Sequence, residues 1–202
     1  MNSVVESSGS AATAPSKPGV SPTRLAHVVL RTSKIDELIH WYQTVLCADI
    51  VFSDGSIAFL GYDEEHHRIA FIQVPGLQAQ PHGICGVHHL AFTYASLKEL
   101  IDTHERLQSV GIEPAWCVNH GPTTSMYYAD PDGNQVELQV DNYDSVQEAS
   151  KFFFSPAFAT NPIGVDFDPA ELARRFRAGE DEVSLKRRPP SGPRGVDTIK
   201  LR

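Results

Sequence analysis

"LAHVVLRTSKIDELIHWYQTVL" (25–46) and "GVHHLAFTYASLKELIDTHERL" (86–107) are two versions of one segment. A shift of 62 superposes His27 on His89, Ile35 on Leu97, Leu38 on Leu100, Ile39 on Ile101 and Val45 on Leu107. Self-similarity of this kind outranks any local reading, because it means that one structural unit is used twice. In each copy a short alternating run predicts a strand. It leads into apolar residues at i, i+3, i+4 and i+7, which predict a helix: Ile35, Leu38, Ile39 and Tyr42, then Leu97, Leu100, Ile101 and His104. Ser33 with Asp36, and Ser96 with Glu99, have the spacing of capping boxes, and Gly111 suits the end of the second helix.

Three strand candidates follow each helix. In the first copy they are "ADIVF", "SIAFLGY" and "HRIAFIQV", with Asp54-Gly55 as a tight turn. In the second they are "EPAWCV", "TSMYYA" and "NQVELQV", with Asp130-Pro131-Asp132-Gly133 as the last turn. Each unit reads βαβββ. The fold class is therefore α+β: two βαβββ modules, about 23–75 and 86–141, pair into a pseudo-twofold domain with a cupped mixed sheet.

Residues 1–22 are rich in Ser, Ala, Gly and Pro and too poor in apolar side chains to pack, so a disordered leader is expected. Residues 142–184 carry Phe152, Phe153, Phe154 and Phe158, too many aromatics to leave in water. Their "DPAELARRFRAGE" has complete helix punctuation, with Asp168 as cap, Pro169 at the first position and Gly179 as stop. This extension is expected to fold back on the domain or on a second subunit; a homodimer is the expected assembly. Residues 185–202 read as a flexible basic tail.

A formal charge of −8, from 25 acidic and 17 basic residues, supplies no cationic field for a phosphate backbone, so nucleic acid is not an expected partner. No run approaches the roughly 20 apolar residues of a membrane span. Cys47, Cys85 and Cys117 form no Cys-x-x-Cys pair. A cytoplasmic protein with reduced thiols is the expectation.

Side chains two apart on a strand share a face. His27 goes with Val29 and Arg31, His89 with Ala91 and Thr93, and Glu137 with Gln135 and Gln139. In all three strands the candidate ligand takes the more polar face, so the three can line one cavity. Two imidazoles and one carboxylate are the donors that hold a divalent transition metal on one side and leave other positions open. The repeat selects His89 over His88, which should point toward the helix layer. Aligning "VELQV" (136–140) with "AFIQV" (70–74) puts Phe71 where a fourth ligand would sit, giving a three-ligand site with an apolar wall. His66 and His67 lie in the charged turn "DEEHHR", where solvation is the simplest reading, although His67 has the parity to reach the cavity rim. His40 is expected on the exposed side of its helix, His82 in a loop and His104 on the packed helical face.

Over about 23–141 these residues resemble the vicinal oxygen chelate superfamily. "HHLAF", "NHGPTTSMYYADPDGNQVEL" and the spacing of ten from Tyr127 to Glu137 look most like its type I extradiol ring-cleaving dioxygenases. The resemblance implies iron(II), or manganese(II), on His27, His89 and Glu137. It also implies His120 as the acid/base and Tyr127 as the hydroxyl that bonds a substrate oxygen. The reactants would be a catechol-like or hydroquinone-like aromatic and dioxygen. The stretch from His120 to Tyr127 is two residues shorter than in those dioxygenases. Glyoxalase-type isomerases and fosfomycin-resistance-type transferases, using manganese, nickel or zinc, share the same architecture, as do metal-free drug-sequestering proteins.

Overall fold

The duplicated segment forms a duplicated structure. The computed structural model describes residues 19–78 and 85–199, so nearly all of the expected leader, His82, Lys200 and Arg202 lie outside the described residues. The first module contains β1 (Val28–Thr32), α1 (Ile35–Leu46), β2 (Asp49–Ser53), β3 (Ile57–Gly61) and β4 (Ile69–Gln73). The second contains β5 (His89–Tyr94), α2 (Leu97–Ser109), β6 (Trp116–Asn119), β7 (Thr123–Ala129) and β8 (Gln135–Asp141). The first sheet has the order β1-β4-β3-β2, with β1 parallel to β4, and the second repeats it as β5-β8-β7-β6, with β5 parallel to β8.

Alternation decides what each face does. Val28 and Leu30 of β1, Ile69 and Phe71 of β4, and Val136, Leu138 and Val140 of β8 face the helices. They join the buried stripes of α1 and α2, including Leu38, Tyr42, Leu100 and Ile101, in one core spanning both modules. Two polar ties reinforce the joint. The Tyr42 hydroxyl bonds Asp130 Oδ2 at 3.2 Å, and Arg106 of α2 donates to the carbonyls of Thr44 and Val45 in the last turn of α1, groups the helix itself leaves unpaired.

The two helix starts differ from each other. Ser96 caps α2, accepting from Glu99 N at 3.2 Å. Ser33 does not cap α1: Lys34 N bonds Thr32 Oγ1 at 2.8 Å and Ile35 N bonds Gln73 Oε1 at 3.0 Å. The β4 glutamine has taken the role expected of the serine, because it reaches the same unpaired N–H groups from the neighbouring strand.

The extension does more than cover the core. It contains α3 (Val146–Phe152), α4 (Pro156–Thr160), β9 (Val165–Asp166), α5 (Pro169–Arg177) and α6 (Glu182–Lys186). β9 pairs antiparallel with β6 and becomes the fifth strand of the second sheet. Asp168 caps α5 as expected, accepting from Ala170 N at 2.9 Å. The segment expected to be a flexible tail differs: residues 185 and 186 complete α6, and the chain from 187 to 199 lies along the protein. Arg188 bonds the carbonyls of His120 and Asn161, and Arg194 bonds Asp166 and the carbonyl of Gly164. The basic residues that composition assigns to solvent find backbone oxygens instead. Among the described residues no helix is long and apolar enough to cross a membrane.

Candidate active site

Ala91, Glu137, Tyr127 and Trp116 form one cross-strand row of the second sheet, paired in register from β5 through β8 and β7 to β6. His89 lies two residues before Ala91 and therefore on the same face. The face is turned away from the helices. Glu137 is only 4 % exposed, so it is no wet-side carboxylate despite its Gln-Glu-Gln setting. Its Oε2 lies 2.9 Å from His89 Nε2. Burial by itself pushes the Glu137 carboxyl upward, but hydrogen bonds from His89 and Ser125 and the nearby imidazoles outweigh it, and the group sits below the usual carboxylate range. It is a buried anion in need of a cationic neighbour.

Tyr127 and Tyr128 divide as alternation requires. Tyr128 lies in the main core, whereas Tyr127 stacks on Trp116, with centroids 4.9 Å apart, and reaches His120 Nε2 through its hydroxyl at 2.9 Å. Burial, then the charge of Glu137 and a hydrogen bond to it, drives the Tyr127 phenol far upward, so it stays protonated. His120 sits in the β6–β7 turn, where its amide bonds Thr123 O at 2.9 Å. Gly121 follows at φ +106, and a Cβ there would fall 2.3 Å from the Phe152 ring. His120 Nδ1 meets the carbonyl of Ile163. Burial lowers the His120 pKa; the Ile163 carbonyl and Glu137 act against it, while His89 and Arg188 act with it.

His88, His89, Trp116, His120, Tyr127, Pro162, Ile163 and Ile199 enclose a cavity of about 330 Å³. Its walls are aromatic and aliphatic, with imidazoles and one phenol converging on them, as suits a flat apolar ligand with a few polar atoms. His88 is exposed at the cavity mouth rather than in the helix layer, because β5 begins only at His89 and strand parity does not extend before it.

His27 stands apart from this group. It immediately precedes β1 and its ring lies 4.5 Å from that of His67, which in turn stacks on Phe59 at 4.7 Å. It lines a neighbouring cleft of about 240 Å³ together with Leu90, Ala91 and Phe92 of β5, so it reaches the seam between the modules. The structure thus brings His89, Glu137, Tyr127 and His120 together and leaves His27 at the adjoining cleft. Among the described residues no group of three or more His, Cys, Asp or Glu side chains could hold a metal ion. The His89–Glu137 pair supplies an imidazole nitrogen and a buried carboxylate side by side, and these two fit a divalent transition metal in chemistry.

The position opposite Glu137 in the first module is not Phe71. Val29, which matches Ala91, pairs with Ala70, whereas Phe71 pairs with Leu30 and packs on Tyr42 with centroids 5.2 Å apart. Matching Gln73 to Gln139 misplaces the repeat by one residue, since Gln73 serves the start of α1 and Gln139 bonds Thr93 on the open face. No fourth ligand arises from Ala70 either.

The sequence profile of the Glyoxalase/Bleomycin resistance protein/Dioxygenase superfamily matches residues 24–138. The chain belongs to this superfamily. The biphenyl-2,3-diol 1,2-dioxygenase 2 of Rhodococcus globerulus is 45 % identical over 157 residues, covering 77 % of this chain and 83 % of the relative. The biphenyl-2,3-diol 1,2-dioxygenase 3 of the same organism is 42 % identical over 167 residues, covering 82 % and 88 %. Within the superfamily the chain therefore stands with the ring-cleaving dioxygenases. A solved fosfomycin resistance protein, FosX, from Listeria monocytogenes, complexed with Mn(II) and sulfate, superposes with a TM-score of 0.51 at 21 % identity, covering 66 % of this chain and 99 % of that one. That likeness concerns the fold.

Sequence reasoning did not find Trp116, Ile163 or Ile199. Trp116 shares parity with Val118, a signal that was available; Ile163 and Ile199 lie outside the repeat and had none. The tilted contact of the His67 ring with His27 could be seen only in three dimensions.

Proposed function

We propose that this superfamily member is an iron(II)-dependent extradiol dioxygenase, opening the ring of a catechol that carries a bulky apolar substituent. The observation that carries the reading is the buried Glu137, contacted by His89 and joined through Tyr127 to His120 at the wall of one apolar cavity. The substrate class comes from the relatives: cleaving bond 1,2 of a 2,3-diol breaks the ring beside, not between, its hydroxyl-bearing carbons.

His89 and Glu137 would hold the metal, and His27 would have to turn from the adjoining cleft toward them to serve as the third ligand. When bound, iron(II) supplies Lewis acidity toward the catechol oxygens and a common meeting place for substrate and dioxygen; manganese(II) is the alternative ion of the same ligand chemistry. The chain supplies the rest. Trp116, Ile163 and Ile199 would flank the flat ring and exclude water. Neutral His120 would take the catechol proton at Nε2 and return it later in turnover; burial lowers its pKa and so favours the neutral ring this role begins from. The Tyr127 hydroxyl, kept protonated, would orient the substrate oxygen. His67, half-buried against the His27 ring, would be a second imidazole available to handle a proton.

Anaerobic reconstitution with ferrous ion, followed by oxygen uptake with a panel of alkyl- and aryl-substituted catechols, tests the proposal. Uptake with formation of a yellow ring-opened product is expected. Stoichiometric iron with no uptake on any catechol would sink it.

A further inference from the structure

The turn that carries His120 is gripped from outside the repeat. His120 Nδ1 meets the Ile163 carbonyl, and a carbonyl oxygen can only accept, so Nδ1 carries the hydrogen. In the neutral ring Nε2 is then bare, and it faces the Tyr127 hydroxyl at 2.9 Å. The side chain of Asn161 fixes the Ile163 carbonyl in place. Asn161 is 2 % exposed; its Oδ1 accepts from Ile163 N at 3.0 Å and Gly164 N at 2.8 Å, and its Nδ2 donates to Gly164 O at 2.9 Å and Ser191 Oγ at 2.8 Å. Gly164, at φ +126, lets this turn press on β6: a Cβ there would lie 2.5 Å from Asn119 O and 2.7 Å from Val118 Cγ2. Arg188 then fastens the two turns together, donating to His120 O at 3.2 Å and to Asn161 O at 2.7 Å.

We propose that the Asn161–Gly164 turn is a positioning device for His120, fixing its ring orientation and tautomer so that an unprotonated Nε2 is aimed at Tyr127. Only its effect on turnover rests on the function proposed for the site; the tautomer is a property of the chain alone. Orientation of a proton-transferring imidazole is where a small displacement costs most, because both the distance and the identity of the accepting nitrogen change.

Ring-¹⁵N NMR of the metal-free full chain, labelled at histidine and held in mildly alkaline buffer, reads the tautomer directly. The His120 signals are those that vanish in His120→Gln. The wild type is expected to show hydrogen on Nδ1 and a bare Nε2. Asn161→Ala and Gly164→Ala are expected to give a mixture of tautomers. In the iron-loaded enzyme they should lower kcat about 10- to 100-fold with KM and metal content unchanged. A wild-type His120 with its hydrogen on Nε2 overturns the proposal, as do folded variants that keep the wild-type nitrogen pattern. The expected tautomer in a wild type that cleaves no catechol supports the positioning role and counts against the function proposed for the site.

Discussion

Nε2 of His89 stands 2.9 Å from Oε2 of Glu137, on β5 and β8, which run side by side and parallel. Neither residue is directly opposite the other in the ladder; the contact is diagonal, His89 being paired with Gln135 and Glu137 with Ala91. A long imidazole arm closes that diagonal and sets a nitrogen of the cavity lining against the buried carboxylate oxygen behind it.

Glu137→Gln preserves the shape of this pair and removes its charge. Iron retention after dialysis is expected to fall by more than about 100-fold in affinity, with turnover lost in proportion and the circular dichroism unchanged. Metal analysis of the dialysed variant is the check; full iron occupancy would remove Glu137 from the ligand set.

Removing the imidazole at 120 should separate proton transfer from metal binding. For His120→Gln, kcat is expected to drop roughly 10²- to 10⁴-fold while iron content stays at the wild-type level. His67→Gln, measured alongside, ranks the two imidazoles: whichever variant loses the larger share of kcat carries the acid/base step.

The modules are tied together by Tyr42 and Asp130. Asp130 also accepts from Asp132 N at 3.0 Å, Asn134 N at 2.7 Å and Asn134 Nδ2 at 2.8 Å, so it builds the β7–β8 turn as well as anchoring α1. Tyr42→Phe should cost about 1 kcal/mol. Asp130→Ala strands a buried hydroxyl and should cost about 1–3 kcal/mol for that group alone. Urea unfolding of both variants and of the double mutant gives the coupling; strictly additive effects would show that the bond does not join the modules.

His104 predicts an acid-side loss of stability. It is fully buried in α2, with Nδ1 3.4 Å from the Tyr128 hydroxyl and Nε2 lacking a hydrogen-bond partner among the described residues. Burial lowers its pKa, against the smaller opposing pull of Glu113, Glu105 and Asp168. The unfolded residue titrates near about 6.5. Between that value and the lower folded one, the unfolded chain holds a proton that the folded chain does not. The contribution is therefore fully present above about pH 6.5 and is lost as the pH falls toward the folded pKa, with a slope of at most about 1.4 kcal/mol per pH unit. Denaturant titrations at several pH values should show this slope in the wild type and a flatter one in His104→Leu.

The sequence by itself determined the duplicated βαβββ order, the helix faces and the side of each strand on which His89, Glu137 and Tyr127 lie. All of these follow from periods of two and 3.6, which the chain carries locally. It also separated Tyr127 from Tyr128, since adjacent strand residues must point apart. Tertiary structure decided what periodicity cannot express. One such matter was the register that sets Ala70, not Phe71, opposite Val29. Others were the tilted contact of the His67 and His27 rings and the burial of Glu137 within an apparently wet alternation. The chain from 161 to 199 met the His120 turn through the Ile163 carbonyl and through Arg188, which bonds the His120 carbonyl. Carbonyl oxygens are the same in every residue, so a site finished by them leaves no mark in the order of side chains.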